Sequence, residues 1–248
     1  MQTGIIDLAV IIPTLNEEFY IGKLLDSIIN QTVKPREIAI VDVLSKDKTI
    51  EEIKKRLKDL PNLRYFQIPK STISRQRNFG ANKTNSPHML FLDADTILKG
   101  DRLLETYYQE ILDKKPDVAA ALNLPLSNHW KDKVFFWMMN TTFQAVKPIW
   151  PMVTGMNLYL TRAAINRLKG FDESVRVGED HDLVQRAAKL NLKFIFLKSV
   201  HVYTSVRRFD KEGRKKFMFK MTKALFKVLR NGHKKNSIKY EFGKFSRS

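Results

Sequence analysis

The sequence predicts an α/β fold in which helices wrap a mostly parallel β-sheet. Short apolar runs of strand length alternate with longer segments whose apolar residues recur at helical spacing, an order that is typical of parallel sheets. Polar clusters follow several of the apolar runs, and parallel sheets bind ligands beyond the carboxyl ends of their strands. The chain has 248 residues, 43% of them hydrophobic, which is enough to bury the core of one large domain.

Four strands and four helices are predicted in the first half of the chain. The apolar run Leu8–Ile12 is a buried strand, and the helix over 17–30 has Asn16 as its N-cap. Further strands are predicted over 37–43, 63–68 and 88–92, and further helices over 47–60, 74–83 and 102–112. The polar residues at 14–17, 42 and 93–95 then lie at strand ends, where we expect a ligand site.

The second half is less regular. Strands are predicted over 117–122, 153–160, 193–197 and 200–204, and an aromatic-rich helix over 134–146. Thr161 caps a helix that ends at Leu168, just before Gly170. A polar turn over 170–182 leads into a helix that continues to Leu190.

The composition excludes several kinds of chemistry. The chain has no cysteine, which excludes disulfides, thiolate catalysis and cysteine-based zinc sites. Met1–Asp7 leads straight into the first strand, so we expect no signal peptide. The best apolar candidate for a membrane span, Val134–Leu160, is interrupted by polar residues and two prolines, so we expect no spanning helix.

Most of the positive charge lies in the C-terminal segment. Of the net charge of +18, Arg207–Ser248 carries +12, from 15 lysines and arginines against three acidic residues, so the rest of the chain is only mildly basic. Over 213–232 basic residues lie on one side of a predicted helix and apolar residues on the other. Such a helix favours an anionic membrane surface. Packing on the domain, with the basic side in water, stays open as an alternative.

Two carboxylates, Asp93 and Asp95, stand one residue apart at a predicted strand end. In an extended segment they point the same way, and together they could hold a hard divalent cation and a ribose or phosphate. For an isolated pair of this kind a solvated turn is the better explanation, because the motif is short and common.

Two further polar segments stand at element starts. Gly178–Asp182 opens a helix with carboxylates, one of which could act as a general base, although a charged helix start also complements the helix dipole. Pro13–Glu18 offers a hydroxyl, an amide and carboxylates to a nucleotide, and it is also an N-capping turn.

The order of these segments is specific, although each segment alone is a weak signal. In sequence they are Ile11–Glu18, Ile40–Asp42, Arg75–Gly80, Phe91–Asp95, Gly170–Ser174 and Gly178–Leu183. This ordered set resembles the family-2 glycosyltransferases of the GT-A fold over roughly residues 6–206. The resemblance implies a GT-A domain over 1–206, with a nucleotide-sugar-binding half over 1–115 and an acceptor-binding half over 116–206, followed by a basic tail over 207–248.

The resemblance implies a donor pocket built from the strand-end loops. Thr14, Asn16 and Glu17 would line the nucleotide pocket, and Asp42 would contact the base. Arg77 would approach the donor diphosphate or ribose. The donor would be a nucleoside-diphosphate sugar, linked to UDP or GDP.

The resemblance also implies a metal site and a catalytic base. Asp95 would ligate Mn²⁺ or Mg²⁺, and Asp93 would face the ribose and the metal. Asp180 would be the catalytic base, with Glu179 beside it in the substrate pocket. His201 stands where some relatives have another metal ligand, and a strand histidine satisfied by its neighbours stays open as the alternative.

The implied reaction is an in-line displacement that inverts the anomeric carbon. Asp180 would take the proton of the acceptor hydroxyl while the metal offsets charge on the departing diphosphate. Arg207 and Arg208 would close over the phosphates as a charge clamp, or would simply be basic surface residues. Asn78 would support the loop that carries Arg77.

The second loop departs from the family pattern Asp-Asp-Gly-Ser. Val43 stands in the place of an acid and Leu44 in the place of the glycine. We therefore expect the turn to be rebuilt, because glycine adopts positive φ readily and leucine does not. Asp47 would supply part of what Val43 lacks, and the choice between uridine and guanosine stays open.

The basic tail and the aromatic residues point to a membrane-proximal acceptor. Val134–Met139, with Trp150, would extend the membrane-facing surface, form an apolar acceptor groove, or belong to the core. A lipid-linked acceptor explains the tail and the groove together, so we expect a cytoplasmic protein that is peripheral at the inner face of the cell membrane.

Two rival functions follow from the same sequence. The net charge alone would suit a nucleic-acid-binding protein, but the basic residues alternate with an apolar helical face rather than with stacking aromatics, so no nucleic-acid partner is expected. A non-catalytic scaffold of the same fold is the other rival. Retention of Asp93, Asp95 and Asp180 argues against it.

Overall fold

The structure is a computed structural model that describes residues 4–175, 177–214 and 216. Its strands are β1 (Gly4–Thr14), β2 (Val33–Asp42), β3 (Leu63–Gln67), β4 (His88–Leu92), β5 (Thr96–Ile97), β6 (Val118–Pro125), β7 (Asn157–Thr161) and β8 (Phe194–Thr204). Its helices are α1 (Ile21–Ile29), α2 (Thr49–Lys54), α3 (Ile73–Asn82), α4 (Leu103–Lys114), α5 (Trp130–Val146), α6 (Arg162–Leu168), α7 (Glu179–Lys189) and α8 (Arg207–Glu212). The helix predicted over 213–232 lies, apart from its first residues, outside this description.

All the described strands belong to one sheet, in the order β3-β2-β1-β4-β7-β6-β8-β5. The first four strands of that order are parallel, as the β-α-β-α pattern predicts. β7 is antiparallel to both β4 and β6, and β5 is antiparallel to β8, whereas β6 and β8 are parallel. The prediction of a parallel sheet therefore holds for the first half of the chain, and the complete sheet is mixed.

Side chains that alternate along β1 divide the core into two layers. Val10 packs with Leu24 of α1 and Leu104 of α4 on one face of the sheet. Ile11 packs with Ile165 of α6 and Leu183 of α7 in the second cluster. Because neighbouring residues of a strand point to opposite faces, these clusters are the two sides of a helix–sheet–helix sandwich.

Two helices are shorter than the sequence predicts. Asn16 has a left-handed φ of 55°, and its Oδ1 accepts a hydrogen bond from Lys46 N at 2.9 Å. The prediction that Asn16 caps α1 is therefore wrong, because its side chain fastens the loop after β2 instead, and α1 begins only at Ile21. α2 ends at Lys54 because the next residues form tighter turns, with Arg56 N bonded to Ile53 O at 3.1 Å.

The end of the sheet near Asp93 and Asp95 differs most from the prediction. The two strands predicted over 193–204 are one strand, β8, whose pairing with β6 shifts register between Leu197 and His201. Two residues after Asp95 form the unpredicted strand β5, in which Thr96 pairs with Thr204. This pairing brings the chain after β8 back to the aspartate motif. No described helix is long and apolar enough to cross a membrane.

Candidate active site

Hydrogen bonds fasten the polar ends of β1 and β2 to each other. Thr14 lies opposite Asp42 in the parallel register, and its hydroxyl donates to Asp42 Oδ2 at 3.2 Å. Asp42 Oδ1 accepts from Ser45 N at 2.9 Å, and Ser45 Oγ in turn accepts from Asn16 N at 2.8 Å. Asp42 is fully buried, so the structure uses it as a brace of this loop. Its contact with a base stays a prediction.

The second loop keeps the backbone conformation of a glycine turn although it has no glycine there. Leu44 adopts a φ of 58°, so the prediction that this turn is rebuilt is wrong. The leucine side chain is exposed and is not branched at Cβ, so it can take the left-handed conformation at a cost of roughly 1–2 kcal/mol. The bonds from Ser45 to Asp42 offset that cost. The carboxylate of Asp47 accepts from Glu18 N at 3.1 Å and from Thr49 N at 3.0 Å, and its part in binding the base stays a prediction.

Arg77 joins three separate parts of the site. Its side chain is 1% exposed, and Nη2 donates to Asp93 Oδ1 at 3.0 Å and to Gly155 O at 2.9 Å. Nη1 donates to Glu179 Oε1 at 2.9 Å. A guanidinium on α3 therefore connects the aspartate motif after β4 to the acidic start of α7.

Asn78, the next residue of α3, holds the turn that precedes α7. Its Oδ1 accepts from Phe171 N at 2.8 Å, and its Nδ2 donates to Phe171 O at 2.9 Å and to Glu173 Oε1 at 3.0 Å. Gly170 has a φ of 76°, and a Cβ there would lie 2.6 Å from Asn78 Oδ1. The motif residues 77 and 78 thus position the second acidic segment from far away in sequence.

Asp180 lies in the first turn of α7, next to Glu179. One of its carboxylate oxygens accepts from His181 N at 2.9 Å. Burial lowers the pKa of Arg77, but the negative charges of Asp93, Glu179 and Asp180 outweigh it and raise that pKa above its usual value. The structure therefore brings the two predicted acidic motifs to opposite sides of one buried guanidinium.

Arg207 closes the other side of the aspartate motif. Its two terminal nitrogens lie 2.6 Å from the two carboxylate oxygens of Glu17, and Nη2 lies 3.2 Å from Asp95 Oδ2. The guanidinium also stacks on the ring of Tyr20, 4.6 Å from its centroid. Arg207 thus pairs with the carboxylates of Glu17 and Asp95, and its role as a charge clamp on the phosphates stays a prediction. Tyr20 has no sequence signal that would single it out.

Burial and crowded negative charge perturb the carboxylates of this cleft. Burial raises the pKa of Glu17 to about 7, with Arg207 opposing and Asp95 and Asp93 adding to the rise. Burial likewise raises the pKa of Glu179 to about 7, helped by its neighbour Asp180. Clusters of carboxylates with such raised pKa values are typical of sites that bind cations or transfer protons.

Asp93 belongs to the same electrostatic cluster. Burial raises the pKa of Asp93 above its usual value and the charge of Asp95 adds to the rise, whereas Arg77 and Arg208 oppose it. Arg208 therefore acts on the aspartate motif through its charge, from the start of α8. The motif itself is held in place because Asp93 N donates to Met156 O at 3.1 Å and Ser205 N donates to Asp95 O at 3.0 Å.

His201 is set back from Asp95 along the chain. Asp95 lies opposite Ser205, which directly follows β8 and stands four residues after His201. At the rise of a β-strand four residues span about 13 Å, a distance set by the register of β5 against β8. The assignment of His201 as a metal ligand stays a prediction.

The carboxylates of this cleft fit a hard cation chemically. Asp95, a predicted metal ligand, and Glu17, predicted to line the nucleotide pocket, both offer the carboxylate oxygens that Mg²⁺ and Mn²⁺ prefer. In the part of the chain that is described, no group of three or more His, Cys, Asp or Glu side chains is arranged to hold a metal ion. The guanidinium of Arg207 lies between Glu17 and Asp95, so these two carboxylates already bind one positive charge.

Comparisons with known proteins agree with this architecture. Residues 9–168, well over half of the chain, match Glycosyl transferase family 2. The chain is 28% identical over 214 residues to glycosyltransferase GlyA of Streptococcus pneumoniae, covering 79% of this chain but only 30% of that protein. It is 25% identical over 225 residues to the dolichyl N-acetyl-alpha-D-glucosaminyl phosphate 3-beta-D-2,3-diacetamido-2,3-dideoxy-beta-D-glucuronosyltransferase of Methanococcus voltae, covering 83% of this chain and 70% of that protein.

Solved structures share the fold. The mannosyltransferase PcManGT of Pyrobaculum calidifontis, in complex with GDP-Man and Mn²⁺, superposes with a TM-score of 0.70 at 21% identity, covering 91% of this chain and 65% of that one. TarS 1–349 of S. aureus, in complex with UDP-GlcNAc, gives 0.66 at 20% identity, covering 81% and 58%. The predicted GT-A fold is thereby confirmed, and the chain belongs to glycosyl transferase family 2.

Proposed function

We propose that this glycosyltransferase moves a sugar, with inversion, from a nucleoside-diphosphate sugar to a hydroxyl or phosphate of a lipid-linked acceptor. The observation that carries the proposal is Arg77, which links Asp93 of one acidic motif to Glu179 of the other. A donor site and a base for the acceptor then share one cleft. The chemistry of a metal-assisted transfer needs that proximity.

The donor would bind along the strand-end loops. Thr14, Asn16 and Glu17 stand at the end of β1, beside Asp42, and would line the nucleotide pocket. The bound ligands of the two structural neighbours, GDP-Man and UDP-GlcNAc, support a nucleoside-diphosphate sugar as the donor. Either base remains compatible with this loop.

Asp95, with Asp93 and Glu17 close by, would hold the divalent cation. Mn²⁺ or Mg²⁺ in that place supplies a positive charge that stabilises the departing nucleoside diphosphate. Arg207 and Arg208 would turn to the phosphates once the cation takes over the carboxylates. The Mn²⁺ in the mannosyltransferase neighbour supports this assignment.

Asp180 would accept the proton of the acceptor. The acceptor oxygen forms a bond to the anomeric carbon as the bond from that carbon to the diphosphate oxygen breaks, and the acceptor proton passes to the Asp180 carboxylate. Glu179 cannot easily replace it, because Arg77 engages the Glu179 carboxylate. The products are the glycosylated acceptor and the nucleoside diphosphate.

A lipid-linked acceptor would keep the enzyme at the membrane surface. The name of the Methanococcus voltae relative contains a dolichyl-linked sugar phosphate, which supports this acceptor class. The net +12 over 207–248 would hold the protein at the anionic inner face of the cell membrane.

Truncation after Lys216, which retains Arg214 and its contacts, should weaken binding to anionic vesicles and leave donor hydrolysis unchanged. Equal vesicle binding would contradict a role for the tail.

The central experiment pairs nucleotide binding with transfer. Thermal shifts with UDP and GDP, each with and without Mn²⁺, should show metal-dependent stabilisation by one of them. Asp180→Asn should keep that stabilisation and lower transfer by roughly 10²–10⁴-fold, because it keeps the shape of the side chain and removes the proton acceptor. Transfer by the variant at the wild-type rate would refute the assignment of the base, and a missing nucleotide response would refute the donor class.

A further inference from the structure

Helix α5 exposes a continuous apolar stripe that the proposed reaction does not use. Trp130 and Trp137 are each 66% exposed, Met138 is 52% exposed and Val134 is 43% exposed. Ile149, just after the helix, is 92% exposed. At about 100° per residue, the four side chains within the helix fall within roughly 100° of its circumference.

The opposite side of α5 is anchored to the domain. Phe136 is 2% exposed and packs with Val206 and Phe209, so the chain after β8 lies against this side. Asp132 is also buried, and its two oxygens accept from Arg214 at 2.7 and 2.9 Å. Because this inner face already supplies the contacts of the core, the outward stripe is surplus to folding.

The charge around the stripe identifies its partner. Lys131 and Lys133 are exposed and flank the stripe on its two sides, whereas the helix's one acidic residue, Asp132, is buried against Arg214. A second copy of a chain with a net charge of +18 would bring like charges together. An anionic bilayer instead accepts the lysines at its headgroups and the tryptophans at its interface.

The same helix reaches the catalytic end of the cleft. The ring of Phe143 lies edge-on to His181, with the ring centroids 5.9 Å apart, and His181 follows Asp180. Asn140 fastens this part of α5 to the sheet by donating to Asn123 O at 2.8 Å. Phe143 lies on the inner side of α5, so a membrane beneath the stripe would be separated from the base by about one helix diameter, roughly 10 Å.

We propose that the stripe of α5 (Trp130, Val134, Trp137 and Met138) inserts into the interface of an anionic bilayer. The helix lies in the membrane plane with Lys131 and Lys133 at the headgroups. This contact is separate from any contact made by the basic tail. Delivery of a lipid-linked acceptor to Asp180 by this contact rests on the proposed function, whereas the insertion itself does not.

The three tryptophans of the chain allow a direct test. In the full-length protein, single-tryptophan variants made by Trp→Phe replacement retain only Trp130, only Trp137 or only Trp150. With vesicles of about 30% phosphatidylglycerol whose lipids are brominated along the acyl chains, we expect fluorescence quenching of Trp130 and Trp137 and little quenching of the half-buried Trp150. Vesicle binding without quenching of Trp130 and Trp137 would show that another segment docks, and it would overturn the proposal.

A second measurement uses loss of binding. Trp130→Ala/Trp137→Ala should bind the same vesicles about 10-fold or more weakly, because two interfacial side chains are removed. The matched control Ile5→Ala/Leu112→Ala truncates exposed apolar residues elsewhere and should bind as wild type. Equal loss in both variants would overturn the proposal, as would concentration-dependent dimerisation through the tryptophans or a preference for RNA over vesicles. These readouts do not involve transfer, so failure of the proposed activity and failure of the docking surface are distinguishable.

Discussion

At the scale of single residues, Arg207 is the side chain that most changes how the cleft works. It pairs with Glu17 and Asp95, two of the carboxylates that would receive a divalent cation. A guanidinium and a hard divalent cation compete for these two carboxylates. Binding of the cation should therefore displace Arg207, which would free it to meet the diphosphate.

This exchange predicts that removing Arg207 strengthens metal binding. Arg207→Gln should bind Mn²⁺ about 5- to 10-fold more tightly than wild type in the absence of nucleotide, measured by calorimetry near pH 8. The gain should shrink near pH 6, because loss of Arg207 removes an effect that lowers the pKa of Glu17. Arg102→Gln, which changes an exposed arginine, is the control. Weaker Mn²⁺ binding by Arg207→Gln at pH 8 would show that no competition exists.

At the scale of elements, the segment between α5 and β7 supports the cleft through its backbone. Gly155 O accepts from Arg77, and Met156 O accepts from Asp93 N. The segment thereby connects the second half of the chain to α3 and to the aspartate motif after β4. Its glycine is required because a Cβ at position 155 would lie 2.7 Å from Arg77 Nη2.

Gly155→Ala should therefore damage the cleft without changing any chemical group. Arg77 cannot withdraw from the new methyl group without breaking its bonds to Asp93 or Glu179. We expect the free energy of unfolding to fall by about 1–3 kcal/mol and the affinity for the donor nucleotide to fall with it. Urea unfolding and nucleotide titration measure both effects. Gly4→Ala is the control, since its Cβ would meet only Val33 Cγ1, at 3.6 Å; similar behaviour of the two variants would contradict this account.

At the scale of the whole molecule, buried carboxyls link the stability of the fold to pH. The pKa values of Glu17 and Glu179 are raised by burial to about 7 from an ordinary value of 4.5. Between pH 4.5 and about pH 7 these two carboxyls stay protonated in the folded protein, whereas in the unfolded chain they have lost their protons. The folded state is therefore favoured at the acidic end of this window and loses that advantage as pH rises through 7.

We therefore expect the free energy of unfolding to decrease from about pH 5 to about pH 8, by on the order of 1–3 kcal/mol for each of the two carboxyls. Urea unfolding at several pH values measures the slope. Glu17→Gln/Glu179→Gln should flatten it, because glutamine does not titrate in this range. Glu51→Gln, at an exposed position of α2, should keep the wild-type slope. An unchanged slope in the double variant would mean that other groups cause the pH dependence.

The fold could be predicted wherever the signal is local in sequence. The apolar run of β1, the cap at Thr161 and the order of the acidic motifs are all readable from neighbouring residues, and they led to the right family. Loop geometry was less accessible. Leu44 keeps a glycine-like φ because bonds between Ser45 and Asp42 stabilise the turn, and no propensity of leucine indicates this.

Hydrophobic periodicity and the order of the motifs can be read along the chain, and they are enough to establish the α/β architecture, the family and the set of acidic residues. Which of those residues meet depends on the three-dimensional fold. Register between β5 and β8 separates His201 from Asp95, and the path of the chain after β8 brings Arg207 to Glu17 across most of the sequence. Such contacts depend on sheet order and strand pairing, which bring together segments that lie far apart in the sequence.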